Sequence, residues 1–99
     1  MIKMIKAKSA AWQATKVRLQ VEIAMINELI EKATLDGKFC VEINVNDYSR
    51  ATEKLLKKAG YEVEYNLISW AHLAVKLDDN ERELMKVAKD AGVKIFEVQ

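Results

Sequence analysis

Histidine and cysteine are the side chains most often recruited for acid–base or nucleophilic work, and this chain has one of each, His72 and Cys40. A histidine beside a carboxylate can act as a general base. His72, however, falls inside Ala71–Leu77, a run that reads as a strand, where alternation makes it an ordinary packed or solvent-facing residue. A nucleophilic cysteine needs a positive neighbour to hold it as thiolate, and only Lys38 is close in sequence. The apolar setting Phe39-Cys40-Val41 predicts a small buried thiol instead. A single cysteine excludes an internal disulfide framework and a Cys-rich zinc site. The carboxylates Asp78, Asp79, Glu81 and Glu83 cluster, but helix capping and a solvated face account for them better than a metal ion does. Glycines stand only at 37, 60 and 92, so no glycine-rich loop can cradle a phosphate. The sequence therefore predicts no catalytic residue, no metal and no cofactor, and a protein that is not an enzyme.

Binding is the better prospect. Two acidic-to-basic stretches, Asn46, Asp47 and Arg50, then Asp78, Asp79 and Arg82, are expected at strand-to-helix loops where a nucleotide or metabolite could sit. Lys54, Lys57 and Lys58 follow Arg50 at helical spacing and form a possible anion-binding row. The net charge is only +1, which excludes a bulk nucleic-acid binder. That total hides four blocks. Residues 1–20 carry five bases and no acid; residues 21–36 sum to −3, residues 37–60 to +2 and residues 61–99 to −3. The basic start could meet a phosphate backbone, but the acidic half of a neighbouring protein is the favoured partner.

These residues must be held by elements that the apolar pattern outlines. With 99 residues and a hydrophobic share of 51%, the chain is expected to form one domain with a real core. Residues Ser9–Asp36 read as one long helix. Ile5, Trp12, Leu19, Ile26 and Ala33 recur every seven residues, with Ile23 and Ile30 beside them. A second row carries Ala10, Ala14, Val17, Val21, Met25 and Leu29. Two apolar rows imply burial on more than one side. Such a helix exceeds the width of a domain this small, so Ile5, Trp12, Leu19, Ile23, Ile26 and Ile30 are the expected oligomer interface.

Each glycine is followed by a short apolar or alternating run, the mark of a helix stop before a strand. A shift of 32 residues aligns Asp47 with Asp79, Arg50 with Arg82, Lys54 with Lys86, Lys57 with Lys89 and Gly60 with Gly92. The same shift places Cys40 on His72, so the two could be neighbours on adjacent strands. Asn46-Asp47 and Asp78-Asp79 are expected helix caps, the second with Glu81 as a capping box. Two strand–helix–strand units in series, 37–66 and 67–99, predict an α+β fold in which the long helix precedes a ferredoxin-like βαββαβ sheet. Its middle hairpin would join Tyr61–Tyr65 to Ile68–Leu77 across Asn66-Leu67, a turn without the glycine that tight hairpins prefer. No run has the ~18 apolar residues of a membrane span, and the start lacks an apolar signal-peptide stretch. A cytoplasmic protein is the expectation.

Several segments in order resemble a group of small, mostly uncharacterised proteins of tailed bacteriophages. They are Ile5-Lys6-Ala7-Lys8-Ser9-Ala10, Asp36-Gly37-Lys38-Phe39, the run from Leu55 to Asn66 through Ala59-Gly60-Tyr61, and Ile68-Ser69-Trp70. The resemblance spans about residues 5–70 and carries no catalytic residues. It implies a phage or prophage source; joined to the self-association expected from the long helix, the reading is a phage-type accessory protein that blocks a host protein or signalling molecule. A ligand-binding module acting at a dimer interface and a virion structural component are the alternatives.

Overall fold

A computed structural model describes residues 3–93. These divide into two compact units, one ending at Ser69 and one beginning at Trp70.

The first unit opens with helix α1, Ala7–Leu35. Strand β1 (Cys40–Glu42) follows, then a 3-10 turn over Val45–Asp47 and helix α2 (Arg50–Lys58). Strands β2 (Glu62–Glu64) and β3 (Leu67–Ser69) complete the unit. The sheet order is β1-β3-β2, with β3 antiparallel to both neighbours. β1 and β2 therefore run parallel with β3 inserted between them, a split βαβ arrangement. Register puts Val41, Ile68 and Val63 side by side on one face. That face, continued by Ile43, meets Ile26 of α1 and Leu56 of α2, and these residues make the core. Ile26 and Ile68 are fully enclosed.

The second unit is helical. Helix α3 spans Ala71–Asp78 and helix α4 spans Glu81–Asp90, and the two pack on each other. The ferredoxin-like expectation is thereby corrected. The fold is α+β, but the described residues hold three strands, and no second strand–helix–strand unit is built from Leu67 onward. The run Ala71–Leu77, expected as strand, is the helix α3. Leu73, Val75 and Leu77 alternate, but Leu73 and Leu77 are also one helical turn apart. Ala71, Leu73, Ala74, Lys76 and Leu77 are all strong helix formers, and Val75 is the sole β-branched residue. Local propensity decides the ambiguity in favour of helix. The run after Gly92, expected as the final strand, lies outside the described residues apart from Val93.

The repeat survives in its helical half. Gly37, Gly60 and Gly92 all take positive φ, between 70° and 103°. At each, the residue after the glycine donates its N–H to a carbonyl five residues back: Lys38 to Ala33, Tyr61 to Leu56 and Val93 to Ala88. The glycine N–H itself bonds three residues back, which completes a Schellman closure. The starts differ from expectation. Ser49 caps α2 and Asn80 caps α4, the latter accepting from the Glu83 N–H at 3.2 Å. Asp47 instead belongs to the 3-10 turn, and Asp79 closes α3.

The hairpin between β2 and β3 turns through Tyr65-Asn66, one residue earlier than expected. No described non-glycine residue has positive φ, so this is neither of the mirror-image turns that tight hairpins favour. Side-chain and backbone ties hold it instead. The Ile43 N–H donates to the Asn66 carbonyl at 2.9 Å, and the Tyr48 hydroxyl donates to the Tyr65 carbonyl at 3.2 Å. Among the described residues no helix is long and apolar enough to cross a membrane.

Candidate interaction surface

Helix α1 has 29 residues and is thus about 43 Å long. The strands beneath it have three residues each, about 10 Å. Only part of the helix can touch them. Ile26 and Ala33 are buried, Leu29 and Ile30 pack at the core's edge, and every residue from Ala7 to Ala14 is exposed. The expected interface row is therefore divided. Ile26 and Ile30 belong to the chain's own core, Leu19 and Ile23 are half-buried, and Trp12 and Ile5 are 63% and 75% exposed.

A shallow groove of about 590 Å³ runs along this first stretch, lined by Trp12, Lys16, Leu19 and Ile23 among others. The Lys16 ammonium lies 5.5 Å from the Trp12 ring centroid, a cation–π contact that holds the indole against its own helix. On the opposite side of α1, Val17, Val21 and Met25 are also exposed, Val17 at 57% and Val21 at 66%. The helix is thus apolar on two opposed faces over a stretch where its own sheet covers neither fully.

What divides the helix is a polar lock that sequence reading did not find. Glu22 Oε2 accepts from the Ser49 hydroxyl at 2.8 Å and from the Thr52 hydroxyl at 2.6 Å. Thr52 is fully buried, and Ser49 is the cap of α2. Burial pushes the Glu22 carboxyl up, yet the Thr52 and Ser49 hydrogen bonds and the nearby Arg18 outweigh it, so the group is held below its ordinary value. The lock joins residues 27 and 30 positions apart in sequence. Its only local trace is the Ser49-to-Thr52 capping spacing.

No protein-family model, curated protein or solved structure matches this chain.

The residues singled out for chemistry fall on different elements. Cys40 is exposed rather than buried, because Val41 takes the inward position of β1 and its neighbours point the other way. Its partner in register on β3 is Ser69, not His72. His72 stands in the first turn of α3, in the other unit, so the expected pairing across adjacent strands is corrected. The described residues contain no group of three or more His, Cys, Asp or Glu placed to hold a metal ion.

The two expected ligand loops also diverge. Asn46 and Asp47 lie in the 3-10 turn, with Arg50 opening α2. Asn46 lines a hollow of about 360 Å³ together with Asn44, Tyr65 and Asn66, which neither Asp47 nor Arg50 reaches. Asp78 and Asp79 end α3, so the second stretch is a helix-to-helix connection rather than a strand-to-helix loop. Arg82 instead shares a face of α4 with Met85, Lys86 and Lys89. Of the possible anion-binding row, Lys54, Lys57 and Lys58 are all exposed on α2, and Lys57 is paired with Glu53 at 3.2 Å.

Proposed function

We propose that this chain is a non-enzymatic binding protein that self-associates through the first half of α1. In this reading it is a phage-type accessory factor that works in the cytoplasm by occupying a host protein or signalling molecule. One observation carries it: about four turns of a continuous helix stand clear of the sheet, with large apolar side chains exposed on two faces. Monomeric proteins seldom leave such continuous apolar surface open to water.

Light scattering across a concentration series tests the reading. The full chain is expected at a multiple of 11.3 kDa, falling to a single chain mass when residues 1–18 are removed. A mass of 11.3 kDa for the full chain at every concentration overturns it.

A further inference from the structure

Self-association leaves open which face of α1 is used and in which direction. We infer that two copies pair their α1 helices antiparallel about a twofold axis, along the seam Ala7, Ala10, Ala14, Val17, Val21 and Ala24. The inference rests on the self-association reading and assigns it a face, a direction and a register.

The spacing of these six residues alternates three and four, the period that brings two helices together as a coiled coil. All six are exposed, and over the 18 residues they span, about 26 Å, nothing among the described residues covers this side. The Trp12–Leu19–Ile23 face cannot serve equally. It leads straight into Ile26 and Ile30, where the chain's own sheet blocks a partner helix, and its acid Glu22 is already committed to Ser49 and Thr52.

Charge selects the direction. The seam begins just after Lys6, the cap residue of α1, and Glu28 and Glu31 lie on the helix beyond its far end, at the spacing that continues the seam's side. A parallel pair would set lysine against lysine and glutamate against glutamate. An antiparallel pair brings Glu28 of the partner subunit to the start of α1, where Lys6 stands. The start of α1 has particular need of that acid. Its first turn holds no acidic residue, its cap position is Lys6, and no side chain caps it. Bases at the positive end of a helix dipole are unfavourable, and incoming carboxylates relieve them. The competing tie of Glu28 to Lys32 is 3.9 Å long with both side chains about 70% exposed, too weak to hold it back.

Register follows from filling the seam. If positions that face one another sum to 31, Ala7 meets Ala24 of the partner subunit, Ala10 meets Val21 of the partner subunit, and Ala14 meets Val17 of the partner subunit. Every layer is then apolar, and Glu28 of the partner subunit falls just beyond the start of α1. Small side chains in each layer let the backbones approach closely, and the groove around Trp12 is left open on the outer surface of the pair.

Cysteine cross-linking in a Cys40→Ser background decides the matter, because a disulfide needs Cβ atoms about 3.5–4.5 Å apart. Both replaced seam positions are exposed, so folding is undisturbed. Ala10→Cys and Val21→Cys chains are expected to cross-link to each other when mixed, and neither to itself. Glu28→Lys is expected to weaken dimerisation about two- to fivefold, with Lys6→Glu in the same chain restoring it. Self-linking of either single variant overturns the antiparallel arrangement. A dimer mass without any cross-link overturns the seam while leaving self-association intact. A monomer mass at every concentration overturns both.

Discussion

The two halves of α1 follow one sequence pattern and meet different fates. From Glu22 to Ala33 the apolar side is enclosed by β1, β3 and α2, and Ile26 is shut off from solvent entirely. From Ala7 to Val21 the same periodicity continues with little from the chain's own fold above it. The difference teaches that heptad spacing states how a helix is to be buried and not by whom. In the second half the partner is the sheet; in the first, on the proposed reading, it is a second copy of the chain.

Breaking the enclosed half should have the largest effect. Ile26→Ala removes a fully buried side chain from the centre of the cluster and is expected to cost about 2–5 kcal/mol in chemical denaturation of the full chain. A loss under about 1 kcal/mol would mean that this half is no more anchored than the other.

Next in size is the lock between the halves. Glu22→Ala strips two hydrogen bonds from an ionised acceptor and leaves the buried Thr52 hydroxyl without it, at an expected cost of about 1.5–3 kcal/mol. The effect has a pH signature. The folded carboxyl is held below its ordinary value of 4.5, so its contribution is present above that value and fades as pH falls through the lower folded value. The stability gap between the natural chain and the variant should therefore narrow below about pH 4.5. A gap that is constant from pH 7 to pH 3 would show that the charge on Glu22 is not what matters.

The smallest effect is expected at Trp12. As an exposed residue it should change the midpoint of unfolding by no more than about 0.5 kcal/mol when replaced by alanine, measured at a concentration where the chain is dissociated. A loss as large as that of Ile26→Ala would erase the contrast between the two halves.

Much of this architecture can be read locally. The long helix shows in its seven-residue recurrence, and the three glycine stops show because a positive φ is a demand on a single residue. The equivalence of α2 and α4 is visible for the same reason, since a helix body with its glycine is a local unit. The β3-to-α3 boundary at Trp70 is not. Leu73, Val75 and Leu77 satisfy a strand and a helix alike, and assuming that a repeat carries its strand along with its helix drew the third strand on to Leu77. The cap positions slipped because Ser49 and Asn80 sit among several acceptable capping residues. The Glu22 lock was invisible for a different reason. Its three side chains are ordinary surface types, and only the packing of α1 on α2 brings them together.

That lock also bears on the order in which the molecule comes apart. α2 has nine residues, too few to hold a helix in water unaided. Its cap serine is oriented by a carboxylate from α1, so the end of α2 that should fray first is tethered to another element. Release of α1 frees that end at once, and α2 and the strand that follows it lose their support together. The second half of α1, α2 and the sheet then open as one cooperative unit, while the first half of α1 can unwind and re-form without disturbing them. A helix continuous to the eye is, in its unfolding, two separate objects joined at Glu22.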